Sequence, residues 1–591
     1  MLYPKMTATR TLATLDGMWQ FQPEKHVQDP AEPLDNPTWV AVPGSFNSQL
    51  LDEELNNSVG YFWYATTFQM PLEQLKRKNF LRFGSVSHQA EVYLNGRLVM
   101  KHVGGFTPFE ANIDKYLKEG TNDLKVRVCN ILDDTTLPSA KYDRESGKIT
   151  YRFDFFNFTG IHRPVRLYST NETYLTSVHV NYQTDLKQTV VTPQVKINGA
   201  YDHCEYAILD QNGKTVVKAK DDEKLLISDT HLWQPNHGYL YQLVVNVMDE
   251  EGKLLDTYTK EFGVRTVKVT NNQFLINDKP FYFQGFGKHE DFFASGKGLN
   301  MPLITLDHQI LKSLGANSYR TSHYPYSEEQ MQQADRDGIV IIDEVPAVGL
   351  FVGFNVNVEI PQKGQTTWNT LKTAANHELA IKEMMERDVD HPAVVMWSLA
   401  NETAGHEDGA HDYYAPLVQL ARSLDPQHRP MTWIDIVMDS AEKDQIGDLF
   451  DVICLNRYYG WYVAHGDLTT AGKMLTAEIK KWRERYPEKP IMFTEFGADT
   501  VPGMHTINHS PYSEEYQTDF YQMYFEVFDQ FDYIVGEQLW AFADFQTSNS
   551  MIRVDGNLKG VFTRDRRPKQ VVGLLKQRWL HNYDDRCHKV K

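Results

Sequence analysis

A chain of 591 residues is too long for a single hydrophobic core, so roughly two to four domains are expected. A formal net charge of −18 argues against nucleic acid or an anionic membrane as the main partner, and no apolar run approaches a bilayer span. Four cysteines, Cys129, Cys204, Cys454 and Cys587, stand far apart without a CxxC, which excludes a disulfide framework and a zinc knuckle and suits a reducing compartment.

The first residues, MLYPKMTATRTLATLDGMW, lack the apolar segment of a signal peptide, so a cytoplasmic location is expected. Residues 1–170 read as short strands. YFWYATTF (61–68), FLRFGS (80–85) and AEVYLNGRLVM (90–100) are aromatic and β-branched, and Asn95-Gly96 marks a hairpin. Helical periodicity is nearly absent there, which fits a jelly-roll β-sandwich. Residues 171–265 continue in strands such as TSVHVNYQ and YLYQLVVNVMD, with Asn212-Gly213 at another hairpin, and suit one immunoglobulin-like β-sandwich. Aromatics at 12% fit such packing first and sugar stacking second.

From 266 to 591 the pattern changes. Eight apolar runs appear: FYFQGFG (281–287), ANSYRTSH (316–323), GIVIIDE (338–344), VVMWSLANE (394–402), PMTWIDI (430–436), VICLNRYYG (452–460), PIMFTEFG (490–497) and IVGEQLWAFADF (534–545). Segments such as ELAIKEMMERD (378–388) and APLVQLARSLD (415–425) separate them, with apolar positions three and four apart. Eight strands alternating with helices predict a (β/α)8 TIM barrel. An open doubly wound sheet is the alternative, without the glycine-rich first turn that nucleotide binding would ask of it.

A barrel of this kind carries its chemistry at the C-terminal ends of its strands. Those ends hold His289 and Glu290, His323, Asp343 and Glu344, Asn401 and Glu402, Asp435, Asn456 to Tyr459, Glu495, and Trp540. A metal hydrolase could draw on His289, His323, Asp343 and Glu344, but they lack close ligand spacing, and neither metal nor cofactor is expected. No GxSxG or suitable cysteine offers a nucleophile. Paired carboxylates remain, and glycosidic bonds need two of them, one to protonate the leaving oxygen and one to attack or activate water. Glu402 and Glu495 end the fourth and seventh strands, where their side chains can converge. The apolar run before Glu402 should raise its pKa and suit a proton donor, while Glu495 should keep its charge.

At these residues the sequence resembles a known family. WSLANE (397–402) is similar to the acid/base strand of family 2 glycoside hydrolases and TEFG (494–497) to their nucleophile strand, and the order of sandwich, immunoglobulin-like domain and barrel looks like that family over essentially the whole chain. Within it, FDFFNFTGIHRPV (153–165), GANSYRTSHYPY (315–326), LNRYYGWY (455–462) and GNLKGVFTRDRRPK (556–569) resemble the bacterial β-glucuronidases. The resemblance implies a retaining exo-enzyme with Glu402 as acid/base and Glu495 as nucleophile. It implies that Asn401 bonds the sugar 2-hydroxyl, that Asp154 holds a sugar hydroxyl, and that Asn456, Tyr462 and Trp540 line the pocket. Tyr458 would support the nucleophile, and His289 and His323 belong to the same substrate-binding set. Asn557 and Lys559, with Arg553 close by, would grip a glucuronate carboxylate, which needs charged partners in a dry pocket. The partner is thus a small glucuronide, and related enzymes are homo-oligomers, often tetramers.

The chain departs from the family at Thr403, where proline usually follows the acid/base, and at Phe496, where tyrosine often follows the nucleophile. The first is expected to loosen a rigid turn, the second to lose a hydroxyl. The resemblance to related gut-bacterial enzymes, in which a loop at this place contacts the aglycone, implies that role for the long segment 350–368 after the third strand, the alternative being that it packs over the barrel edge or against another subunit. A β-galactosidase or β-galacturonidase on the same scaffold, and a non-catalytic carbohydrate-binding protein, are the competing readings.

Overall fold

The computed structural model describes residues 1–26, 28–270, 272–353 and 364–581. Its first part is a sandwich of two antiparallel sheets. One has four strands, in the order Thr11–Thr14, Val165–Thr170, Lys78–Phe83, Phe109–Asn112. The other has six, in the order Thr38–Val42, Gly17–Pro23, Tyr61–Met70, Gly120–Cys129, Gln89–Leu94, Arg97–Val103. Aromatic and branched residues of both, Trp19, Phe62, Phe83 and Val126 among them, interdigitate as a core of their own. The Asn95-Gly96 hairpin forms because both residues take positive φ, 51° and 76°, the combination a tight two-residue turn requires.

Strands from Tyr174–Thr184 to Leu254–Phe262 form a second sandwich of a three-stranded and a four-stranded sheet. Tyr241–Met248 alternates buried and half-buried residues along its whole length, the period-2 signature of a strand with one face in the core. Trp233 leaves this sandwich to bury itself in the barrel core, where its indole N–H donates to the Asp335 carbonyl at 2.8 Å.

The third part is a closed barrel of eight parallel strands. These are β1 (Phe283–Lys288), β2 (Ser318–Thr321), β3 (Val340–Glu344), β4 (Val394–Asn401), β5 (Met431–Asp435), β6 (Ile453–Asn456), β7 (Ile491–Glu495) and β8 (Ile534–Trp540). Every residue of all eight is buried, because a barrel strand packs side chains inward and helices outward. The helices stop where their sequences say. Met301–Leu314 begins at the Asn300 cap and ends at Gly315, whose φ of 79° only glycine adopts without strain. The first sandwich docks on the barrel at the C-terminal ends of its strands through Arg163, which donates to Glu290 at 3.1 Å and to the Pro325 carbonyl at 2.8 Å. Among the described residues no helix is long and apolar enough to cross a membrane.

Candidate active site

The two glutamates sit at one mouth of the barrel in different surroundings. Glu495 closes β7 and is buried. Its Oε1 accepts from Arg320 Nη2 at 2.5 Å and its Oε2 from the Tyr458 hydroxyl at 2.7 Å. Burial, then the charge of Glu495, raises the Tyr458 hydroxyl well above its usual range, so Tyr458 remains a donor. Arg320 has no exposed surface and also binds both oxygens of Glu344, at 2.8 and 3.0 Å. Burial opposes the charge of Glu344, but Arg320 and His323 outweigh it and hold its pKa below the ordinary range.

Glu402 follows β4 with a backbone φ of 50°. A non-glycine residue rarely adopts this conformation, and where one does the surrounding structure must enforce it. Its N–H donates to the Ile434 carbonyl at 2.9 Å, and Oε1 accepts from Asn456 Nδ2 at 3.1 Å. Burial first, then the negative charge of Glu495, pushes its pKa up from 4.5 to about 8, against the opposing pull of Asn456 and Arg320. Such a carboxyl holds a proton at neutral pH and can give it up. The charge of Glu495 reaches Glu402, and Arg320 and Asn456 bridge the two through Asn401, whose Oδ1 lies 3.4 Å from Arg320 Nη1 and 3.3 Å from Asn456 Nδ2.

Asn456, expected to line the sugar pocket, has no exposed surface. Its amide is oriented by Thr494, which donates to Oδ1 at 3.0 Å, leaving Nδ2 for Asn401 and Glu402. Trp540 stacks on His323, with ring centroids 5.1 Å apart. Gly287 on β1 makes this packing feasible, since a Cβ there would lie 2.5 Å from the indole. His289 meets the same indole edge-on and sits 3.1 Å from the Tyr324 hydroxyl. Burial, then the neighbouring His323, lowers its pKa far below 6.5 and keeps it neutral. Tyr462 is half-exposed at the rim, its ring edge-to-face with that of Tyr458.

Across the mouth lies a cluster of charges. Asp154 reaches in from the first sandwich and accepts from Arg553 Nε at 2.8 Å and Nη2 at 2.5 Å, and from Asn557 Nδ2 at 2.9 Å. Lys559 is buried and donates to Tyr462 at 2.9 Å and to Asp499. Asp499 also accepts from the Leu558 N–H at 3.0 Å. Burial opposes its charge, but Lys559 and Arg553 keep its pKa below the usual range. Each of these two cations therefore already faces a carboxylate.

Both departures in the sequence acquire physical content. Thr403, expected to loosen its turn, is buried and tied. Its hydroxyl donates to the Leu350 carbonyl at 3.3 Å and accepts from Tyr414 at 2.9 Å, bonds a proline could not make. Phe496 points away from the mouth into the core, stacked on Tyr524 at 4.9 Å and edge-on to Phe528, so no hydroxyl is missing from the pocket. Of the segment 350–368, residues 354–363 lie outside the described residues. Its two ends hold the turn after Glu402: Leu350 O accepts from Ala404 N at 3.0 Å, and Trp368 donates to Ala404 O at 3.1 Å.

Two residues central to this geometry were not singled out by sequence reasoning, Arg320 and Asp499, while Glu344, read at its strand end and weighed there as a metal ligand, pairs with Arg320 and His323. Arg320 was within reach, since a charge inside a buried barrel strand is as poor a surface residue as Glu402. Asp499 carried no comparable signal. Among the described residues no group of three or more His, Cys, Asp or Glu is arranged to hold a metal.

Comparison with known proteins agrees with this architecture. Residues 267–582 match the family model described as glycosyl hydrolases family 2, TIM barrel domain, residues 12–171 the sugar binding domain of that family, and residues 138–265 a further model of it. The chain is 46% identical to a β-glucuronidase of Streptococcus agalactiae over 100% of both chains, and 37% identical to the human β-glucuronidase over 98% of this chain and 92% of that one. Among solved structures it is similar to a β-glucuronidase of an uncultured Clostridium sp. (41% identity, TM-score 0.92) and to that of Ruminococcus gnavus in complex with D-glucuronic acid (37%, 0.92). Each comparison covers 98% of this chain and 99% of the other.

Proposed function

The chain belongs to glycosyl hydrolase family 2, and on that premise we propose that it acts as a retaining exo-β-glucuronidase, releasing glucuronate and an aglycone by double displacement. In the first step Glu402 gives its proton to the glycosidic oxygen while a Glu495 oxygen attacks the anomeric carbon, forming a glycosyl-ester and expelling the aglycone. In the second, Glu402, now ionised, takes a proton from water as that water attacks the same carbon, and Glu495 leaves as carboxylate. Microscopic reversibility requires the same residue to serve as acid and base.

The observation that carries the reading is the contrast between the carboxyls. One is pushed to about 8 by burial and its neighbour's charge, and the other accepts hydrogen bonds at both oxygens from Arg320 and Tyr458. Trp540 and the histidines would offer the sugar its apolar and polar walls. Lys559, Asn557 and Arg553 would recognise the uronate carboxylate, giving these buried cations a task that a neutral-sugar enzyme would not have. The proposal includes a cytoplasmic, homo-oligomeric enzyme, in keeping with the scattered cysteines and the resemblance to oligomeric relatives.

A panel of nitrophenyl β-glycosides with wild type, Glu402→Gln and Glu495→Gln tests it. Turnover of the glucuronide alone, a β-configured first product by NMR, and loss of turnover in Glu495→Gln are expected. Turnover of galactoside but not glucuronide would favour the galactosidase reading, and no turnover of any substrate the carbohydrate-binding one.

A further inference from the structure

The charges around Lys559 balance. Among the described residues, Arg553, Lys559 and Lys569 form a row of cations, each against a carboxylate. Arg553 binds Asp154, Lys559 binds Asp499, and Lys569 donates to Asp544, just after β8, at 2.8 Å. Five of these six side chains are no more than 7% exposed, and only Asp154 reaches 29%. The row is continuous. Lys569 also donates to the carbonyls of Leu558 at 2.9 Å and Thr500 at 3.0 Å, while the Leu558 N–H donates to Asp499 at 3.0 Å. The Gly560 N–H, two residues on, bonds Asp544, so the segment that carries Lys559 runs between the two buried carboxylates.

Two further titratable groups face this row, both from the helix Glu514–Phe528. Burial, then the charges of Asp499 and Asp544, holds the Tyr521 hydroxyl far above its usual range, so it stays neutral. Glu514 acts on Lys569, but its own oxygens are taken by the N–H groups of Gly503 at 2.7 Å and Gln570 at 2.6 Å. Burial lowers the Lys569 pKa, and Asp544, Asp499 and Glu514 oppose that shift. Asp544 is the strained member. Burial first, against the opposing charge of Lys569 and the Gly560 N–H, pushes its pKa from 3.8 to about 7, and the charge of Asp499 adds to the rise.

Each cation of the row is thus matched before any substrate arrives. A uronate carboxylate seated at Lys559 adds a fourth anion to three cations in a dry region, and a buried charge without a partner is costly unless it is neutralised. An added negative charge raises the pKa of a neighbouring carboxyl, and Asp544 already stands closest to protonation. We propose that Asp544 is a specificity-determining residue, which takes up one proton from solvent as a uronate carboxylate binds at Lys559. A neutral sugar brings no fourth anion and draws no proton. This inference rests on the uronate reading of Lys559 given above.

Calorimetry of D-glucuronate binding to the full chain carrying Glu402→Gln, which silences the acid/base, tests this. Titrations in HEPES and in Tris, whose heats of ionisation differ, count the protons. Close to one proton per glucuronate should be taken up at about pH 8 and far less at about pH 6, where Asp544 already holds it, so affinity should fall about tenfold between the two. Adding Asp544→Asn should abolish both the uptake and the pH dependence. Adding Lys569→Gln instead, which leaves Asp544 protonated over the whole range, should abolish them too and serves if the first double variant does not fold. No uptake with Glu402→Gln alone, or uptake unchanged in a folded double variant, overturns the proposal. Absence of glucuronate binding at both pH values would remove the uronate reading beneath it, and the proposal with it.

Discussion

Asn456 offers the sharpest test of how the acid/base is tuned. Its amide donates to Glu402 at 3.1 Å and stabilises the ionised form, holding the carboxyl down against burial and Glu495. A hydrogen bond to a charged group is worth about 2 kcal/mol, and one pKa unit corresponds to about 1.4 kcal/mol. Asn456→Ala should therefore raise Glu402 from about 8 by about one and a half units. In the proposed mechanism the protonated form is the active acid, so activity is lost as pH rises through this pKa, and the basic limb of the profile must move toward alkaline pH even if the maximum falls. The assay is kcat/KM across neutral to alkaline pH with phenyl β-D-glucuronide, whose poor leaving group makes acid assistance matter. A basic limb that stays put, or moves toward acid, refutes the tuning role of Asn456.

Three further outcomes follow from the same geometry. Glu402 has a folded-state pKa of about 8 against its ordinary 4.5, so the wild type loses stability as pH rises from 4.5 through about 8; Glu402→Gln should melt higher than wild type above that range and show no such gain in acid, and equal melting at both ends would contradict the burial argument. Lys559→Ala leaves Asp499 facing a buried gap and should cost glucuronide turnover about 3 kcal/mol, roughly a hundredfold, with far less effect on residual glucoside turnover; equal losses would remove Lys559 from carboxylate recognition. Thr403→Val strips the turn after Glu402 of two hydrogen bonds and should lower stability by about 1–3 kcal/mol in urea unfolding, and an unchanged midpoint would mean the hydroxyl braces nothing.

The barrel was legible because its strands are short and regularly spaced, several of them carrying an apolar run, and because Asn-Gly pairs announce hairpins by a backbone conformation few other residues tolerate. Glu402 was legible for a related reason: a carboxyl at the end of VVMWSLAN has no cheap place to go. Asn456 was harder. Its neighbours in sequence put it at a strand end, but only the Thr494 hydroxyl, arriving from the next strand, decides which way its amide faces. Asp499 was harder still, since its meaning depends on Lys559 and Leu558, supplied from beyond β8, and a lone Asp after a strand usually means a turn.

Asp154 belongs to a domain completed long before the barrel emerges in synthesis, yet it grips Arg553 and Asn557 near the other end of the chain. The candidate site is thus a joint product of two units whose apolar packing also meets, Phe153 and Phe155 of the first joining the barrel core. A ribosome releasing this chain therefore releases an unfinished site until docking is complete, and an excised barrel, however well folded, would leave Arg553 and Asn557 without the carboxylate they hold.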